Sequence, residues 1–207
     1  MKIQQIKLNT MGIFTYIIGD EESKQCVLID PAFEAYKILN EVKKNGFKVI
    51  YVANTHYHGD HIAGNEEILR LTGAKLLIHK NDAKRMNDIM NFLFIKLLGG
   101  KKSPPPDILL KDGDELEIGS VKLKVIHTPG HTKGSICLYT EGNIFTGDTL
   151  FEGCIGKPGL SIKTLIKSIK EKIYSLPGDT IIWPGHNYGN RPYSTVEHEK
   201  INNPFTM

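Results

Sequence analysis

The stretch Thr55-His56-Tyr57-His58-Gly59-Asp60-His61 decides how this chain is read. Three histidines and one carboxylate fall within six residues, directly behind the apolar run Val49-Ile50-Tyr51-Val52-Ala53. Histidine is scarce, eight in 207 residues, so the cluster does not follow from composition. Neutral imidazole suits zinc, iron and manganese, and a carboxylate adds negative charge and a hard oxygen. The pattern predicts a site for one or two metal ions where a strand runs into a loop.

The bulk numbers narrow the class. A chain of 207 residues, 40% hydrophobic and 24% charged, is expected to fold as one domain spanning 1–207 with a sizeable core. The net charge of +3 is mild and the lysines are scattered. Only Arg70, Arg85 and Arg191 are arginine, so no nucleic-acid surface is expected. The N-terminus, Met1-Lys2-Ile3-Gln4-Gln5-Ile6-Lys7, has no apolar core of a signal peptide. The most apolar window, Ile89 to Leu98, is too short to span a bilayer. Cys26, Cys137 and Cys154 are odd in number and far apart, which fits reduced thiols and a cytoplasmic protein.

Working outward, short apolar or alternating runs predict strands at Lys2–Leu8, Phe14–Gly19, Gln25–Ile29, Lys48–Ala53 and Lys75–Ile78. Helices are expected over Ala32–Asn45, Ile62–Leu71 and Asn81–Met90, the last capped by Asn81 or Asp82. Residues 91–107, ending in Ser103-Pro104-Pro105-Pro106, read as an irregular excursion. Strands follow at Glu115–Ile118, Lys122–His127, Ser135–Tyr139, Asn143–Phe145 and Thr180–Trp183. Helices are expected over Ile162–Tyr174 and over Tyr193–Ile201, capped by Ser194. Strands in meanders that then alternate with helices suggest α+β (α/β) architecture: two sheets with helices outside, a four-layer αββα sandwich.

A metal site needs ligands from several segments. His131 lies in Thr128-Pro129-Gly130-His131-Thr132-Lys133-Gly134-Ser135, between two strands. Asp148 follows an apolar strand, with Gly147 before it to permit an unusual backbone angle. His186 closes Ile181-Ile182-Trp183-Pro184-Gly185-His186. The same order, strand then glycine then ligand-type residue, occurs three times. His79, His127 and His198 lack that setting and read as structural or solvated.

The set THYHGDH, TPGHTKGS, TGDTLF and WPGH resembles the metallo-β-lactamase fold hydrolases over nearly the whole chain and in order. The resemblance implies that the metal site lies at the edge between the two sheets. It further implies that His56, His58 and His131 hold a first metal, that Asp60, His61 and His186 hold a second, and that Asp148 bridges them. The ions would be two divalent metals, zinc first, with iron or manganese as other candidates. Asp30, in Leu28-Ile29-Asp30-Pro31-Ala32, and Thr132 would support these ligands rather than bind metal.

Within the family the chain is most similar to the glyoxalase II, or hydroxyacylglutathione hydrolase, group. The stretch Thr146 to Phe151 with Gly153-Cys154-Ile155-Gly156-Lys157 is similar to that group's TGDTLF…GCGK. The resemblance gives Lys157 a substrate carboxylate and Tyr188 a contact with the same ligand. It departs at Gly159, where the group has a tyrosine, and in ending at Asn203-Pro204-Phe205 without the group's C-terminal helical domain. The implied activity is hydrolysis of a small acyl thioester of the S-lactoylglutathione type. A hydroxide made available by the metals would attack the carbonyl, with Asp60 as catalytic proton acceptor. The implied partner is a small molecule, the chain being a monomer or homodimer, with no nucleic acid and no membrane.

The nearest rival is a persulfide dioxygenase on the same scaffold, using one iron on His56, His131 and Asp148. That group carries arginine at the position of Lys157 and aspartate at that of Gly159. Lactonase or β-lactamase activity and a non-catalytic metal-binding protein are weaker readings.

Overall fold

A computed structural model describes residues 1–207. Strands β1 (Lys2–Lys7), β2 (Phe14–Gly19) and β3 (Gln25–Ile29) form an antiparallel meander. To it β4 (Lys48–Asn54), β5 (Lys75–His79) and β6 (Ile108–Leu110) add in parallel, giving the order β1-β2-β3-β4-β5-β6. Parallel pairing needs crossovers. Helix α1 (Ala35–Lys44) provides one, the turn α2 (Gly59–Ile62) with α3 (Asn65–Thr72) the next, and α4 (Lys80–Ala83) with α5 (Ile89–Leu97) the third.

The second sheet begins with an antiparallel run, β7 (Glu115–Ile118), β8 (Val121–His127), β9 (Ile136–Thr140) and β10 (Asn143–Gly147). A two-strand hairpin, β11 (Leu150–Phe151) with β12 (Cys154–Ile155), follows, then helix α6 (Ile162–Ser168), which widens into a π turn through Ile173. Strand β13 (Ile181–Pro184) joins β10 in parallel and β14 (Ser194–Thr195) flanks it, before the closing helix α7 (Val196–Asn202).

Side-chain alternation builds the layers. Along β2, Phe14, Tyr16 and Ile18 face one way and Ile17 the other, as a period of two requires. The first set meets Leu123, Val125, Leu138 and Phe145 of the second sheet in a core between the sheets. Ile17, Leu28, Val52 and Ile78 meet Ile38 of α1 and Ile68 of α3 on the outer face. Cys137, Ile144 and Ile182 meet Leu165 and Ile169 on the opposite outer face. Three apolar layers separate four structural ones, the expected αββα sandwich. No helix is long and apolar enough to cross a membrane.

Three expectations need correction. The helix expected over Asn81–Met90 is broken, and the segment expected to be irregular contains most of α5. The break has a physical cause. The Asp82 carboxylate is used by Thr132 and Gly134, so it is not a cap, and His79 Nδ1 instead accepts from Asn81 N. Asn91 Nδ2 donates to the carbonyls of Met86 and Tyr57, which fixes a new helix start over an apolar run. At α7 the cap is Thr195, accepting from His198 N, rather than Ser194.

Candidate metal centre

The strands deliver the site. The loops after β4, β8 and β10 and the end of β13 lie together at one edge of the sandwich, where β3 also ends. Asp30 follows β3 with φ +48°, a left-handed conformation uncommon for a residue with a side chain. It is held there by Thr15, whose hydroxyl donates to the Asp30 carbonyl at 2.7 Å. The strained residue is then used in full. Its carboxylate accepts from Thr55 N (2.7 Å) and Thr55 Oγ1 (2.6 Å), and meets His61 Nδ1 at 2.8 Å. Asp30 thus bears on the motif loop and turns the His61 ring so that Nε2 faces inward.

All seven side chains expected to bind metal come together. His56 Nε2, His58 Nδ1 and His131 Nε2 stand 2.8–3.2 Å from one another. His61 Nε2 and His186 Nε2 stand 3.2 Å apart, with Asp60 Oδ2 3.3 Å from the latter. Asp148 lies between, Oδ2 at 3.6 Å from His131 Nε2 and Oδ1 at 3.3 Å from His61 Nε2. Four of the five rings take their outward nitrogen from the protein. His56 Nδ1 meets Thr55 Oγ1, His131 Nδ1 the Lys157 carbonyl, His61 Nδ1 Asp30, and His186 Nδ1 the Met11 carbonyl. Such partners fix ring orientation and leave the inward nitrogen free to bind a cation.

The electrostatics fit divalent ions. Burial and the neighbouring rings hold His56 well below the usual imidazole range and bring His58 down to about 4, so both are neutral, the form of imidazole that binds a cation. His61 is opposite. Its burial would lower it, but Asp148, Asp30 and Asp60 drive it well above the usual value. Three buried or half-buried carboxylates therefore converge where positive charge is in demand. Asp148 Oδ1 is buried without a hydrogen-bond partner, and a cation is what such an oxygen lacks.

Glycines make the close approach feasible at two positions. Gly147 has φ +49°, the unusual angle expected before Asp148, and an added Cβ would meet Thr55 Oγ1 at 2.4 Å. A Cβ on Gly185 would stand 2.5 Å from Asp148 Oδ1.

The supporting and substrate candidates divide. Thr132 Oγ1 donates to Asp82 Oδ2 at 2.6 Å. Tyr188 stacks on the His186 ring at 4.8 Å, with planes 4° apart. Its phenol is pushed up to about 12 by burial and by Asp148 and Asp60, so it remains a donor at neutral pH. The Lys157 side chain is exposed, while its carbonyl holds His131. At Gly159 a Cβ would stand 2.5 Å from the His131 carbonyl, so neither a tyrosine nor an aspartate fits there without a shift. His79 and His127 stack on each other at 4.1 Å outside the cluster.

The sequence reading missed Asp82 and the turn before β2. Asp82, fully buried, also accepts from Gly134 N (2.7 Å) and Tyr57 N (3.2 Å), tying the loop of His131 to that of His56 and His58. The Met11 carbonyl meets His186 Nδ1 and the Gly12 carbonyl accepts from Asn187 N beside it, contacts that no residue type signals.

Fold and cluster define an αββα protein built to bind divalent metal at the sheet edge. The chain belongs to the metallo-β-lactamase superfamily, whose family profile matches residues 9–186. It is 37% identical to the human mitochondrial persulfide dioxygenase ETHE1, over 92% of this chain and 70% of that one. It is 34% identical to the hydroxyacylglutathione hydrolase of Nitrosococcus oceani, over 91% and 67%. Among solved structures it is similar to the BLEG-1 B3 metallo-β-lactamase, with TM-score 0.89, 30% identity and 99% of each chain covered. It is also similar to TTHA1623 in a di-iron-bound form, with TM-score 0.85, 29% identity and coverage of 98% and 99%.

Proposed function

We propose that this chain is a metal-dependent hydrolase of small acyl thioesters, of the hydroxyacylglutathione type. The observation that carries the reading is the second converging group, Asp60, His61 and His186, beside the first, His56, His58 and His131. It offers a second ion donors of its own beside the first group. The two groups with Asp148 between them would hold two divalent ions, zinc first, with iron or manganese suited to the same donors. Bound there, the ions supply Lewis acidity and bring water toward ionisation near neutral pH.

The chain's own residues do the rest. Burial opposes charge on Asp60, yet His61 and His186 hold its carboxyl below the usual range, so it is an ionised proton acceptor. The carbonyl carbon gains the water oxygen, the C–S bond breaks, and the water's proton goes to Asp60. A thiol leaves as thiolate without an acid, its pKa being about 8.5. Tyr188 donates to the thiol half, and Lys157 meets a substrate carboxylate there. The reduced state of Cys26, Cys137 and Cys154 agrees with a cytoplasmic setting.

The second reading is a mononuclear iron persulfide dioxygenase, favoured by the 37% identity to the human enzyme. His58→Ala separates the two. The hydrolase reading expects turnover of S-lactoylglutathione to fall more than about a hundredfold in the metal-replete variant. Unchanged hydrolysis would sink the two-metal scheme.

A further inference from the structure

A cavity of about 760 Å³ opens beside the metal centre, within the ~300–1,000 Å³ of small-molecule sites. His58 and Asp60 line it on one side, and α5 forms the other. The helix is seated closely on the motif loop: a Cβ on Gly59 would stand 2.7 Å from Ile95 Cγ1 and 2.9 Å from Phe94 Cδ1. Ile95 is fully buried and anchors the helix. Its neighbours on the cavity side are not. Ile89 and Met90 are each 77% exposed and Phe94 is 36% exposed. Folding does not account for large apolar side chains left in water at the mouth of a site; an apolar ligand part does.

Two of the cavity's polar groups are already taken, while Asn87 Oδ1 is buried without a partner. The Arg85 guanidinium lies 4.7 Å over the Tyr57 ring and pairs with Asp88 at 2.8 Å, so its charge is already matched. Asn91 Nδ2 is taken by two backbone carbonyls. Lys157 and Tyr188 are placed on His131 and His186 and do not line this cavity.

We propose that the α5 cavity takes the acyl half of the substrate, and that it extends the range of the hydrolase from small hydroxyacyl groups to thioesters of apolar acyl chains or rings, which it prefers. The proposal rests on the hydrolase reading above and names its substrate class.

The test uses the metal-replete full chain with thioesters of one thiol, N-acetylcysteamine, bearing acetyl, butyryl, octanoyl or benzoyl groups. Octanoyl is expected to exceed acetyl in kcat/KM by about tenfold or more, and Met90→Ser with Ile89→Ser to cut that ratio by about tenfold. Both side chains are exposed, so the substitutions spare the core. A flat series, or a ratio the variants do not move, overturns the proposal. So does a dimer that dissociates in the variants while the ratio holds, since α5 would then be a protein contact. Should no thioester turn over, the hydrolase reading itself fails. Calorimetric titration with octanoate and acetate then judges the cavity. A preference for octanoate lost in Met90→Ser supports an apolar ligand, and equal affinities overturn it.

Discussion

Two buried aspartates that need not touch a metal decide where the ligands stand. Asp30 grips Thr55 and His61, and Asp82 grips Tyr57, Thr132 and Gly134. Each joins backbone to side chain across at least 25 residues of sequence. Asp82 bears on the first group of ligands, because His56, His58 and His131 flank the residues it holds. An amide in its place keeps the shape but turns one acceptor into a donor. Asp82→Asn is therefore expected to weaken metal binding at that group by roughly tenfold to a hundredfold. Dialysis against a chelator, followed by elemental analysis, should show one ion lost while the Asp60, His61 and His186 group keeps its own. Retention of both ions as tightly as in the wild type would contradict this. Asp30 was legible because it closes an apolar strand next to a proline, a pattern the family shares. Asp82 was not, since a lone aspartate early in a helical run reads as a cap.

At the scale of elements, turns as well as strands hold the two sheets in register. Asp20, at the end of β2, accepts from Ser23 N, and also from Ser120 Oγ at 2.9 Å in the turn between β7 and β8. Hydrogen bonds from Ser23, and then Ser120, outweigh its desolvation and hold its carboxyl far below the usual value. The folded pKa lies below the unfolded one, so the contribution is present above about pH 4 and is lost as pH falls toward the folded value. Asp20→Asn should lower the unfolding midpoint at pH 7, with the gap to wild type closing as the solution is taken below about pH 4. Denaturant melts across that range check the sign. Strand periodicity made β2, β8 and β9 plain in the sequence. The stretch from Asn81 to Asp107 was not, because its helix break depends on what Asp82 and Asn91 meet elsewhere in the fold. The hairpin β11–β12 is too short for any period to show.

For the whole molecule, a metal bound at the His and Asp cluster is expected to add stability. Asp30, Asp60 and Asp148 lie against His61 at one sheet edge, and Asp148 Oδ1 is buried without a hydrogen bond. Ions that bind only the folded state stabilise it in proportion to RT ln(1 + [L]/Kd), about 2.7 kcal/mol at a hundredfold excess over Kd. Chelation is thus expected to lower Tm by several degrees, with recovery on adding zinc or iron back; a Tm unmoved by a strong chelator would count against a metal in the native cluster. The fold and the candidate cluster were readable together because His131, Asp148 and His186 each follow an apolar run and a glycine, and both are visible in residues. The carbonyls of Met11 and Lys157 that orient His186 and His131 carry no such mark. The cavity walled by α5 arises only when the helix folds back on Gly59.

Two groups of candidate ligands serving one hydrolytic reaction would hold two ions per chain. Metal content per chain, measured on the same sample as turnover of S-lactoylglutathione and oxygen uptake on glutathione persulfide, tests it most directly. Two ions per chain, thioester hydrolysis and no oxygen uptake are the expected result. One iron per chain with oxygen consumed on the persulfide would contradict it.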